Sequence, residues 1–169
     1  MGIFKEEHKK QLKEVLLQMK NTVNLIYFTQ EYECGICEET RTFLEEFVSL
    51  SDKIKLEVKD FEKEKNIAEK YKVDKIPAIV MTDKDNNDFG IKYYGPPAGY
   101  EINSFLVTLL EVSGVVDEFS SEIAARIDRI SKPVHIQVFV SLQCPYCPKA
   151  VIIAHKLALM NKNITADMV

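Results

Sequence analysis

The chain has 169 residues with 46% hydrophobic and 28% charged side chains, enough apolar material for a core in one domain or two small ones. A net charge of -4, with Lys and Arg dispersed rather than massed, argues against nucleic acid or an anionic membrane surface as partner. No apolar run approaches the roughly 20 residues of a membrane span, and Met1-Gly2-Ile3-Phe4-Lys5-Glu6-Glu7 is too charged for a signal peptide, so the expected compartment is cytoplasmic.

Phe4, Leu12, Val15, Leu16 and Met19 recur at helical spacing among Lys, Glu and Gln, predicting an amphipathic first helix. Val23 to Phe28 reads as a buried strand, and Thr29 to Glu33 leads to Cys34-Gly35-Ile36-Cys37. Phe43, Leu44, Phe47 and Val48 mark the inner face of the next helix. Ile54, Leu56 and Val58 alternate with Lys55, Glu57 and Lys59 as a half-buried strand, and a short helix turns Ile67, Ala68 and Tyr71 inward. Pro77 opens the apolar run to Met81; lacking an N–H, it belongs at a strand start. Asp83 to Asp88 is a polar turn, Phe89, Ile91 and Tyr93 alternate in a returning strand, and Gly95-Pro96-Pro97-Ala98-Gly99 breaks the chain before a helix with Ile102, Phe105, Leu106, Leu109 and Leu110 on one face.

After about Ser113 the order begins again. Phe119, Ile123, Ile127 and Ile130 suggest a helix, Ser131-Lys132-Pro133 breaks it, and the alternating run Val134 to Val140 leads to Cys144-Pro145-Tyr146-Cys147. Ala150 to Leu159 predicts a mostly buried helix. Cys34 and Cys144 lie about 110 residues apart, a long-period duplication rather than a solenoid repeat. The second repeat is expected to lack the proline-led strand, the hairpin and the final helix. The fold class that follows is α/β, with a first unit over 1–115 and the start of a second over 116–169, truncated as in a fragment. The helix after Cys147 is apolar on most sides, so it should be covered by the first unit or by self-association with another chain, or else order should fail beyond Asn161.

All four cysteines stand in C-x-x-C pairs between a strand and a helix. There the unpaired N–H groups and the helix dipole favour a thiolate and lower its pKa from about 8.5 to roughly 3.5–7.5. The second cysteine of each pair, about one turn on, can close a short disulfide. Each pair is thus a dithiol redox site: Cys34 or Cys144 attacks a substrate disulfide, and Cys37 or Cys147 resolves the mixed disulfide. Four thiolates could instead bind one zinc, but zinc ribbons space their pairs about 15–20 residues apart, so no metal is assigned and the only redox groups expected are the disulfides themselves. His8, His135 and His155 lie outside both motifs and read as solvated or helix-surface groups. Tyr93 and Tyr94 read as packing residues, whereas Tyr146 stands beside a nucleophile. Glu31, Glu33, Glu38 and Glu39 flank the first pair and disfavour a thiolate, while Pro148 and Lys149 follow the second. Cys144 is therefore expected to be the more acidic and faster nucleophile, with Cys34 the slower site or a donor of electrons to it.

The sequence resembles the thioredoxin and glutaredoxin superfamily in both repeats. Cys144-Pro145-Tyr146-Cys147 is similar to the dithiol glutaredoxin tetrapeptide, Ile76-Pro77 to the cis-proline of that fold, and Gly95 to the glycine after its last strand. The tandem arrangement resembles the two-unit, glutaredoxin-like protein disulfide oxidoreductases of heat-loving archaea and bacteria. This resemblance implies a tandem thioredoxin-like fold, a mixed sheet flanked by helices. It also implies exchange with protein disulfide or dithiol substrates by reduction, oxidation or isomerisation, with Ile76 and Pro77 lining the substrate groove. Two alternatives stand beside it: an electron relay from a thioredoxin-reductase-like flavoprotein to a peroxidase, and a non-enzymatic thiolate metal-binding module.

Overall fold

The computed structural model describes residues 2–169. Twelve regular elements follow the predicted order: α1 Glu6–Leu16, β1 Val23–Thr29, α2 Cys37–Val48, β2 Ile54–Asp60, α3 Lys65–Lys70, β3 Ala78–Asp83, β4 Asp88–Tyr94, α4 Ile102–Val112, α5 Ser121–Asp128, β5 Val134–Val138, α6 Cys147–Met160 and β6 Ile164–Met168. A single 3-10 turn, Gly99–Glu101, precedes α4. Strand β6 is an addition to the sequence expectation, which ended the second repeat at its active-site helix. Its five residues are too few to announce an alternation on their own, and Asp167 interrupts their apolar character.

The strands form one six-stranded sheet in the order β2-β1-β3-β4-β6-β5. β1 and β2 pair in parallel from Val23 opposite Ile54, and β5 and β6 do the same from Val134 opposite Ile164. Strand, C-x-x-C, helix and parallel strand therefore occur twice. The two copies join where β6 lies parallel to β4, Ile91 opposite Ala166 and Tyr93 opposite Met168. Because β3 is antiparallel to both β1 and β4, strands β1, β4, β6 and β5 all run the same way. Both β–α–β crossovers step in the same direction along the sheet, so their right-handedness puts α2 and α6 on one face.

That face carries the main core. Leu25, Tyr27, Ile79, Met81, Ile91, Tyr93, Ala166 and Met168 meet Phe43, Phe47, Phe105, Leu109, Val151 and Ala154. Phe47, Phe105, Tyr93 and His155 follow one another edge to face, at centroid distances of 5.3, 5.2 and 4.8 Å, so an aromatic row crosses from the first repeat into the second. Helix α6 thus finds its cover on α4 and β4. Val151, Ala154 and Ala158 are buried there, and each buried side chain of valine size contributes about 1.5–3 kcal/mol. Beyond Asn161 the chain is held by β6. The opposite face is a smaller cluster in which α3 covers Ile26, Phe28, Val80 and Tyr94 with Ala68 and Tyr71. On that face Lys92 and Asp167, both buried, lie 3.5 Å apart across the β4–β6 seam, and His135 reaches the other oxygen of Asp167.

One histidine differs from its expected place. His155 is fully buried, with Nδ1 3.1 Å from the Thr108 hydroxyl and its ring against Tyr93. Burial pushes its pKa down to about 3, so it is a neutral packing group between the repeats. The helical period placed residue 155 on the surface of a lone helix, whereas the neighbouring α4 turned that surface into an interface.

Candidate active site

β1 delivers the chain to the first dithiol, which is closed as a Cys34–Cys37 disulfide with Cα atoms 5.4 Å apart. Cys37 is the first residue of α2 and is buried, while Cys34 in the preceding turn is partly exposed. This asymmetry suits Cys34 to attack and Cys37 to resolve. Beneath the pair, the Tyr27 hydroxyl donates to the Cys37 carbonyl at 2.7 Å. Pro77 stands one residue before β3, whose Ala78 lies opposite Phe28 near the end of β1. The Ile76–Pro77 bond is cis, and the Gly95 N–H donates to the Pro77 carbonyl at 2.9 Å. Ile76 and Pro77 therefore share one end of the sheet with Cys34. Tyr32, Ile36 and the four flanking glutamates are exposed around it.

The second dithiol is built alike. Cys144 and Cys147 are disulfide-bonded with Cα atoms 5.5 Å apart, and Cys147 begins α6 with Pro148 next to it. The Cys144 N–H donates to the Ser141 carbonyl at 2.8 Å, closing the loop from β5. Tyr146 is 83% exposed between the two cysteines. Since β1 and β5 point the same way, both dithiols lie at the same end of the sheet. They are four strand spacings apart, roughly 19 Å. One zinc cannot bridge them, and among the described residues no group of three or more His, Cys, Asp or Glu could hold a metal ion. The same spacing rules out direct exchange from Cys34 to Cys144 within one chain, because sulfurs must touch to exchange.

A buried acidic residue at the head of α4, on the side of α6 and the second dithiol's loop, was passed over in the sequence. Glu101 is fully buried; Ser104 donates to one of its carboxylate oxygens, and the other has no hydrogen-bond partner. Helices α4 and α6 each follow a strand of the same direction and run side by side, with Thr108 touching His155. Two turns toward the N-terminus along each helix bring Glu101 level with Pro148, the neighbour of Cys147. The loop contacts agree: the Tyr100 N–H donates to the Leu142 carbonyl at 3.1 Å, and a side chain at Gly99 would collide with that carbonyl. Burial raises the carboxyl's pKa above its ordinary value, against the Ser104 hydrogen bond. A carboxylate in that state is suited to take and return the proton of a buried thiol. The signal in the sequence was its register, since Glu101 shares the buried stripe of Phe105, Thr108 and Val112.

The thioredoxin family model matches residues 3–107. The chain belongs to the thioredoxin family. Its fold superposes on the NTD_N/C domain of the alkyl hydroperoxide reductase AhpF from Enterococcus faecalis (V583) with a TM-score of 0.90 and 31% identity, over 98% of this chain and 79% of that one. A protein disulfide oxidoreductase from Aeropyrum pernix K1 shares the fold at a TM-score of 0.83 and 23% identity, over 96% of this chain and 74% of that one. In sequence, the F subunit of the Staphylococcus aureus alkyl hydroperoxide reductase is 24% identical over 95% of this chain, and a Bacillus subtilis NADH dehydrogenase 26% identical over the same share. The chain spans 29% of the length of those relatives. A thioredoxin-family protein with two C-x-x-C disulfides is a thiol–disulfide oxidoreductase.

Proposed function

We propose that this thioredoxin-family protein is a dithiol electron relay, accepting electrons from a thioredoxin-reductase-like flavoprotein and passing them to the disulfide of a peroxidase or another protein. The observation that carries this reading is the extent of the likeness to the F subunit of alkyl hydroperoxide reductase, which takes in 95% of the chain in sequence and 98% in structure. We assign residues 1–115 to one thioredoxin-like unit and 116–169 to the beginning of a second, with the work done in the cytoplasm. No helix among the described residues is long and apolar enough to cross a membrane.

In the relay step the Cys144 thiolate attacks one sulfur of the substrate disulfide, and the other sulfur leaves as a thiolate. Cys147 gives its proton to the Glu101 carboxylate and attacks Cys144 Sγ. The second substrate sulfur leaves, the substrate has gained two electrons, and Cys144–Cys147 is oxidised. Glu101 then returns its proton to a leaving thiolate. Tyr146 offers the substrate an apolar contact beside the nucleophile. Cys34 and Cys37 carry out the same exchange at the first dithiol, where Ile76 and Pro77 provide an edge for an extended protein segment.

The test supplies a thioredoxin-reductase-like flavoprotein, reduced nicotinamide, a peroxidase and peroxide, and follows nucleotide oxidation. Turnover that depends on this chain and stops when all four cysteines are changed to Ser supports the relay. Insulin reduction by dithiothreitol without any nucleotide-coupled turnover would favour a general protein disulfide reductase instead.

A further inference from the structure

Below the two dithiols one row of residues crosses the sheet: Tyr27, Ile79, Tyr93, Met168 and Val138 stand opposite one another in neighbouring strands. Tyr27 uses its hydroxyl on the Cys37 carbonyl, under the first dithiol. Val138 holds the matching place under the second, because β1 and β5 are paired from Val23 and Val134 and each residue lies four positions on. A valine has no hydroxyl to offer. The hydroxyl in the row nearer that dithiol belongs to Tyr93, whose ring is fully buried between Phe105 of α4 and His155 of α6.

Tyr93 belongs to a line of buried polar side chains in an otherwise apolar layer. Its hydroxyl is 3.0 Å from Thr108 Oγ1, which is 3.1 Å from His155 Nδ1. Ser104, one helical turn before Thr108, is within hydrogen-bonding reach of the same hydroxyl and donates to the Glu101 carboxylate. All five side chains are fully buried, where a polar group costs stability unless it finds a partner. Counting protons gives the line a direction. Neutral His155 has one N–H, and its Nε2 makes no hydrogen bond although the Lys92 backbone comes near the ring. A proton on Nδ1 has Thr108 to receive it, and a buried N–H without an acceptor is costlier than a bare nitrogen. Thr108 then donates to Tyr93, Tyr93 to Ser104 and Ser104 to Glu101, so every donor points at the carboxylate. A hydroxyl that accepts a bond is itself a stronger donor.

We propose that Tyr93 is a positioning residue for the second dithiol: anchored by Thr108 and His155, it donates to Ser104 and so steadies the ionised Glu101 that takes the Cys147 proton. The inference rests on the proton-acceptor role given to Glu101 in the relay reading. Burial favours the protonated carboxyl, and Ser104 is the one side chain that opposes it. The titratable groups facing the line are Cys144 and Cys147 from the head of α6 and its loop, Glu111 from α4 and Lys92 from β4.

The experiment titrates the Glu101 carboxyl by carbon NMR, assigned with Glu101→Gln, and follows resolution of the mixed disulfide on Cys144 against pH. Tyr93→Phe removes a single oxygen and should raise the proton affinity of Glu101 by about fivefold. The resolution profile should move to higher pH by the same amount, while the first dithiol, assayed in the Cys144→Ser background, keeps its profile. Ser104→Ala should shift Glu101 further, and adding Tyr93→Phe to it should change nothing more. An unmoved Glu101 titration in Tyr93→Phe would overturn the proposal, as would a full Tyr93→Phe effect in the Ser104→Ala background. A moved titration that the resolution profile does not follow would overturn the positioning role. Nitrogen NMR of the wild type should find the His155 proton on Nδ1, and a proton on Nε2 would overturn the direction of the line whether or not the variants fold. Glu101→Gln resolving at the wild-type rate would instead sink the proton-acceptor reading itself, a result separate from the titration.

Discussion

The two dithiols occupy equivalent places on the same sheet, yet each has what the other lacks. The first has a neighbouring strand led by Pro77, a tyrosine hydroxyl beneath Cys37, and a rim of four exposed glutamates. The second follows β5, the last strand in the sheet order, and has a lysine after Pro148 and the buried carboxyl of Glu101 at the head of the helix beside α6. That carboxyl comes from the head of α4, which belongs to the first repeat. Duplication thus copied a backbone, and the packing of one copy on the other decided which chemistry each position has at hand. On the proposed reading the repeats make a single functional body, because Glu101, at the head of a first-repeat helix, serves as proton acceptor for the second dithiol.

The largest expected effect separates the two nucleophiles. Cys144→Ser should abolish nearly all flavoprotein-coupled turnover, whereas Cys34→Ser should keep most of it. Thiol alkylation rate against pH should show the lower pKa at Cys144, in keeping with the carboxylates around Cys34. Retained turnover in Cys144→Ser with its loss in Cys34→Ser would reverse the ranking.

Next in size is Glu101→Gln. Removing a proton acceptor should slow resolution at the second dithiol by about a hundredfold, seen as accumulated mixed disulfide on Cys144 by quenched mass spectrometry. The first dithiol, assayed in the Cys144→Ser background, should not change. In the wild type the resolving rate should rise with pH through the raised pKa of Glu101, and the Gln variant should lose that rise. An equal loss at both dithiols would reduce Glu101 to a structural role.

Gly99→Ala should act through the contact between repeats. Gly99 has φ +59°, and a Cβ there would strike the Leu142 carbonyl. A non-glycine residue in that conformation costs about 1–3 kcal/mol, readable as a lower denaturant midpoint. The reduction potential of Cys144–Cys147 should shift while that of Cys34–Cys37 stays, since only the second loop leans on Gly99.

The smallest effect concerns stability against pH, where two buried groups pull in opposite directions. Burial raises Glu111 to about 7, offset in part by Lys156, so its contribution is present at low pH and lost as pH rises from about 4.5 through 7. His155, lowered to about 3, contributes above its ordinary pKa and loses that contribution as pH falls from about 6.5 toward 3. Glu111→Gln should therefore raise the melting temperature by a few degrees above pH 7 and very little near pH 4, leaving the acid-side fall that belongs to His155. Equal shifts at both pH values would contradict this assignment.

Much of this architecture was legible beforehand. Every helix and five of the six strands were marked by periodicity, because Leu12, Phe47, Ile54 and Tyr93 repeat at the spacing that a buried face demands. Helix boundaries were less so: Phe4 and Met19 continue the apolar spacing of α1 but pack from outside it. Of the helix expected from Phe119 to Ile130, only Ser121–Asp128 is helical, and Ile127 alone of it is buried. β6 escaped notice because a strand of five residues inserted beside β4 takes its identity from two neighbours rather than from its own pattern.

What the sequence determined by itself was the chemistry of each dithiol and the local frame that holds it. Cysteine spacing, a preceding apolar strand and a following helix are all encoded within about twenty residues, and backbone geometry does the rest. Only the tertiary structure decided the company those dithiols keep. Glu101 stands 46 positions before Cys147, and His155 as far after Thr108 as makes any local pattern silent. Whether such a group meets water or a sulfur depends on strand order and on which helices share a face, and those follow from how the whole apolar surface is buried at once.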